Sequence, residues 1–176
     1  MKQNYPKIVL WAMAATMAIH VGTSCDGGKK RMNIPYVEAT TDDIGTDIVV
    51  PYKDLGGVRT IQVRINDCAE FPMIFDTGCS GLLISILEVY ALAKQGCISA
   101  DDIEGYSYST IADGSIVENM VINLKEIRIG NMVCRNVQAS VSDNGNAPLL
   151  LGNGVLNEVE SFTIDNINKT ITFHLK

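Results

Sequence analysis

The residues best suited to chemistry lie in FPMIFDTGCSG, residues 71 to 81. A run of large apolar side chains ends on Asp76, Thr77 and Gly78, and the small residues Cys79, Ser80 and Gly81 follow. Asp and Gly also make ordinary β-turns, but such a turn faces water, whereas this carboxylate directly follows Phe75 at the end of an apolar strand. A carboxylate so placed can serve as an acid or base. Rival chemistries lack residues. No CxxC pair occurs and His174 is the only histidine beyond the leader, so a zinc site has no ligand set. Asp101, Asp102 and Glu104 lack the spacing of a calcium loop and read as a solvated acidic turn. His174 sits in the alternating segment TITFHL, as an ordinary strand residue would, and not as half of a thiol–imidazole pair. No metal or other cofactor is expected.

The elements that must position Asp76 are mostly short strands. TIQVRI places Ile61, Val63 and Ile65 on one face, and FPMIF leads into the aspartate, with Pro72 marking an edge or a bulge. LLIS returns as a strand. Ser85 with Glu88 three residues later then forms a capping-box pattern that opens ILEVYALAKQG, a helix closed by Gly96. YSYSTIADGSIVENMVINL reads as a long hairpin turning at Asp113-Gly114. EIRIGNMVCRNVQASVS repeats the device at Gly130-Asn131, and SFTIDNINKTITFHL turns around Asn166 to Lys169. Tyr106 and Tyr108 alternate on the first hairpin and read as cross-strand packing, with lining of a substrate pocket as the alternative. Between the last two hairpins, APLLLGNGVLNE runs as an apolar strand into Gly152 and a brief helix. Strands without alternating helices imply a closed or folded-over, mainly β domain and not a doubly wound sheet.

The chain of 176 residues carries a net charge of −6, which gives no general attraction to nucleic acid. Residues 1–24 read as a signal peptide: Lys2 and Lys7 precede the apolar run IVLWAMAATMAI. The run closes on VGTSC, which resembles a bacterial lipoprotein signal with Cys25 as the lipidated residue. Residues 25–46 are rich in Gly, Asp and Thr and read as a flexible tether and arm. Residues 47–176 form the domain. The expected location is the bacterial cell envelope, as an exported, membrane-anchored lipoprotein facing periplasm or cell surface. Cys68, Cys79, Cys97 and Cys134 permit two disulfides, but their spacings match no framework, and buried free thiols fit equally well.

Taken together, MIFDTGCSGLLIS, the Gly-tipped hairpin and the later LLLG with its short helix resemble the retropepsin-like aspartic proteases, the single-lobe relatives of pepsin, from about Asp47 to Leu175. The resemblance implies an acid-protease fold: a closed, barrel-like single lobe with a flap hairpin and one or two short helices. It implies that Asp76 is the catalytic acid/base, that the Thr77 hydroxyl braces two active-site loops against each other, and that Gly78 lets the loop turn beside substrate. Leu150, Leu151 and Gly152 match the apolar-apolar-Gly signature that packs beneath the catalytic loop. Asp113, Gly114 and Ser115 take the place of the flap tip over bound peptide. Ser80 reads as a hydrogen-bonder that steadies the loop, and Cys79 stands where the family more often has Ala or Ser. Peptide hydrolysis without a metal or covalent nucleophile needs two carboxylates sharing one proton. This chain holds one Asp-Thr-Gly, so the expectation is a symmetric homodimer acting on a peptide or protein substrate, inert as a monomer. The rival from another class is a non-catalytic, peptide-binding envelope lipoprotein of the same fold.

Overall fold

The computed structural model describes residues 36–38, 47–110 and 113–176. The expected signal peptide, Cys25 and nearly all of the tether lie outside the described residues. Three hairpins turn where the sequence indicates. Strands β7 (Ile103–Thr110) and β8 (Ile116–Ile129) pair antiparallel around Asp113-Gly114. β8 turns into β9 (Met132–Ser142) through Gly130-Asn131, and β11 (Ser161–Asp165) into β12 (Thr170–His174). Gly130 has φ +56, and a Cβ there would lie 3.0 Å from Val50 Cγ1. Glycine thus serves both the turn and the close approach of its neighbour.

β4 (Val58–Ile65) pairs with β5 (Ala69–Phe75) and at its end with β8. Strand neighbours then run β9, β6 (Leu82–Ser85), β10 (Leu150–Leu151), β5, β4, β8, and β8 pairs back onto β9, so these six strands form a closed ring. β1 (Tyr36–Glu38) adds to β9, and β3 (Lys53–Leu55) to β4. Pro72 lies opposite Gln62 of β4, while β10 meets β5 only at Ile74 and Phe75. The missing N–H of Pro72 therefore falls beyond the strand's second pairing, as proline in a sheet requires. A second, three-stranded sheet orders β11, β12 and β2 (Ile48–Pro51).

Ile61, Val63 and Ile65 are buried as their alternation predicts, among Met73, Leu82, Ile84, Ile122 and Leu124. Helix α1 (Ile86–Lys94) turns Ile86, Val89 and Leu92 onto this core. Its start is the predicted capping box: the Leu87 N–H donates to Ser85 Oγ at 3.2 Å, and the Ser85 N–H donates to Glu88 at 3.2 Å. Gly96, at φ +75, ends it. The cysteines resolve into one disulfide and two thiols. Cys68, in the β4–β5 turn, is bonded to Cys97 in the segment after α1, while Cys79 and Cys134 are free. The Asn66 amide donates to Cys97 O at 2.8 Å and reinforces the same junction.

Candidate active site

β5 delivers its last residue, Phe75, into an edge-to-face contact with Phe162 of β11 at 4.9 Å between ring centroids. Phe173 of β12 lies 6.2 Å away. The aspartate thus leaves a strand end anchored by aromatic packing onto the second sheet. The loop of residues 76 to 81 then steps across the end of β10, which lies between β5 and β6. β10 is parallel to β5 (Leu150 opposite Ile74, Leu151 opposite Phe75) and antiparallel to β6 (Leu150 opposite Leu83, Leu151 opposite Leu82). Leu151 and Leu82 are buried beneath the loop. Their side chains fix β10 in place, and the Asp76 N–H donates to Leu151 O at 3.0 Å.

Gly152 follows at the point of closest approach. A Cβ on it would lie 2.5 Å from Cys79 O and press into Gly81 O, so no other residue fits without moving the loop. The short helix α2 (Asn153–Leu156) begins immediately afterwards. Asn153 grips the loop twice: its N–H donates to Cys79 O at 2.8 Å and its side-chain amide donates to Thr77 O at 2.9 Å. Asn153 belongs to no motif that the sequence displays on its own. The available signal was a polar side chain placed directly after the Leu-Leu-Gly that packs under the loop.

Within the loop the Gly78 N–H donates to Asp76 Oδ1 at 2.8 Å, and the Cys79 N–H donates to Asp76 O at 3.3 Å. The carboxylate is therefore oriented by its own backbone, with Oδ2 left over. Among the described residues no second carboxylate pairs with it. Thr77, Gly78 and Ser80 are exposed and Asp76 is half-buried. Neither the Thr77 nor the Ser80 hydroxyl has a hydrogen-bond partner among the described residues. The Cys79 thiol makes the side-chain contact inside the loop instead, donating to Gly81 O at 3.2 Å. Ile74 aligns with half-buried Leu150 and Leu83 across the neighbouring strands. Those three residues form an apolar row across β5, β10 and β6.

The β7–β8 hairpin carries the predicted flap tip. The Ser115 N–H and hydroxyl donate to Asp113 Oδ1 at 2.8 and 2.6 Å, and Gly114 takes φ +83. These bonds, the hydroxyl first, hold the Asp113 carboxyl below the usual carboxylate range. Tyr106 and Tyr108 are 64% and 73% exposed, so they pack on no core; the Tyr108 hydroxyl donates to Glu118 across the hairpin at 2.8 Å. No hydrogen bond joins the tip to the Asp76 loop among the described residues. Both ring nitrogens of His174 are engaged, one with Asp47 at 2.8 Å and the other with the Thr163 hydroxyl at 3.0 Å.

A family model described as "gag-polyprotein putative aspartyl protease" matches residues 61–158, a span that includes the Asp76 loop, the hairpin tip and Asn153. Among solved structures, the chain is similar to a retropepsin-like aspartic protease from Rickettsia conorii. Identity is 16% and the TM-score 0.51, over 80% of this chain and 93% of that one. At that identity the likeness speaks for the fold, and the fold is retropepsin-like. No curated protein matches the chain.

Proposed function

We propose, for a chain that belongs to the gag-polyprotein aspartyl protease family, an endopeptidase whose reaction centre forms from two copies of Asp76 across a homodimer. The observation that carries this reading is the site itself. An oriented carboxylate stands at the open end of a loop wedged by Leu151 and Gly152, with no acidic partner in its own described chain. Across a twofold axis a second Asp76 supplies that partner, and two adjacent carboxyls retain one proton between them because both cannot ionise. The ionised member takes a proton from water as the water oxygen attacks the peptide carbonyl. The protonated member hydrogen-bonds the carbonyl oxygen. Collapse of the tetrahedral intermediate passes a proton to the amide nitrogen and breaks the C–N bond. The exposed Thr77 hydroxyls brace the two loops, and the flap tip at Asp113, Gly114 and Ser115 closes over the substrate.

The row of Ile74, Leu83 and Leu150 suits apolar side chains next to the scissile bond. The Cys68–Cys97 disulfide suits an oxidising compartment. It therefore fits export to the cell envelope, with attachment to a membrane through lipid on Cys25. The test pairs sizing of residues 47–176 with cleavage of a mixed peptide library. The parent protein is expected to cleave as a dimer, and Asp76→Asn to dimerise without cleaving. A parent that binds peptides without cleaving any is the non-catalytic lipoprotein of the rival reading.

A further inference from the structure

One peptide unit, the one joining Thr77 to Gly78, is held at both ends. Its carbonyl oxygen accepts the Asn153 side-chain amide at 2.9 Å, and its N–H donates to Asp76 Oδ1 at 2.8 Å. In a trans peptide these two groups point in opposite directions. Asn153 therefore stands on one side of the unit and the carboxylate on the other. We propose that Asn153 is a positioning residue for Asp76, acting through this peptide unit.

Three features support the assignment. A donor on the carbonyl polarises the amide and makes its N–H the stronger donor, so the bond to the carboxylate strengthens with the bond from Asn153. The peptide plane is also prevented from rotating, which fixes the direction from which Oδ1 is held and leaves Oδ2 for water and the second carboxyl. Asn153 can do this because its own backbone is pinned: its N–H donates to Cys79 O at 2.8 Å, beside a Gly152 that has no room to move. Two carbonyls on either side of Gly78 thus hang from one residue. The role rests on Asp76 being the acid/base of the proposed dyad.

Asn153→Ala frees the Thr77–Gly78 peptide unit to rotate and so loosens the hold on Asp76 Oδ1. It is expected to lower kcat about tenfold while KM changes less than about twofold. Asn153→Asp keeps the size but can donate to Thr77 O only when protonated. Its activity should fall below that of Asn153→Ala at neutral pH and approach the parent in acid. An activity-independent readout is the Gly78 amide proton by NMR, which should exchange about tenfold faster in Asn153→Ala, with the β11–β12 amides unchanged. An unaltered Gly78 amide and kcat, with only a lower melting temperature, overturns the proposal. A parent without activity would remove the catalytic reading of Asp76, and the Gly78 amide would still decide whether Asn153 positions the loop.

Discussion

Replacing Gly152 with alanine forces a methyl group into the carbonyl oxygens of Cys79 and Gly81, which are backbone atoms with no rotamer to yield. The expected cost is about 3 kcal/mol of stability, with loss of any activity that depends on the Asp76 loop, measured by thermal melts alongside cleavage. At Cys134 burial does the work: the thiol is fully enclosed, and desolvation together with the Glu158 carboxylate pushes it up to about 12. Cys134 should therefore stay unmodified by iodoacetamide in the folded protein and react only on unfolding, which peptide mass mapping reads directly. The turn at Asp76 was legible because Asp-Thr-Gly is a local word, carrying its own hydrogen bond. Asn153 was not legible, because its side-chain partner Thr77 lies 76 residues back and only the packing of β10 between β5 and β6 brings them together.

Among the elements, the capped helix and the three hairpins follow from local signals whose partners are close in sequence: Ser85 with Glu88, Asp113 with Gly114, Gly130 with Asn131. The long β8–β9 hairpin shows where alternation stops being informative. Ile122 and Leu124 are buried, then Ile127 and Ile129, although pairing with β9 keeps a single register throughout. The buried side changes between them, opposite Asn136 at φ 55, because the ribbon twists from one part of the core to another. The disulfide was equally out of reach, since its cysteines lie 29 positions apart on unrelated elements. Closing a loop of that size is worth about 3 kcal/mol, so the double change Cys68→Ser, Cys97→Ser should lower the melting temperature without altering the Asp76 loop. At the β7–β8 hairpin tip the sign of the pH effect follows from Ser115. The folded-state value of Asp113 is lowered, so its contribution is present above the ordinary aspartate range, near 4, and is lost only as pH falls through the lowered value. Ser115→Ala should make the tip loosen at a higher pH, seen as faster exchange of the tip amides in an acid titration.

For the whole molecule, strand count and the absence of alternating helices foresaw a closed or folded-over β domain, and the structure is the closed form. The separate sheet of β2, β11 and β12 was not, because it joins a strand at the start of the domain to two at its end. Association of two chains is what the proposed chemistry adds to this fold, and a membrane tether would favour it by raising effective concentration. A soluble domain freed of its tether should accordingly lose specific activity on dilution. The most direct measurement mixes parent chains with Asp76→Asn chains under subunit exchange and follows cleavage at constant total protein. If each centre needs both aspartates, an equal mixture retains about one quarter of the parent activity, since only parent–parent dimers work. A fall to about one half, linear in the parent fraction, would mean that each chain acts alone and would contradict the shared Asp76 centre.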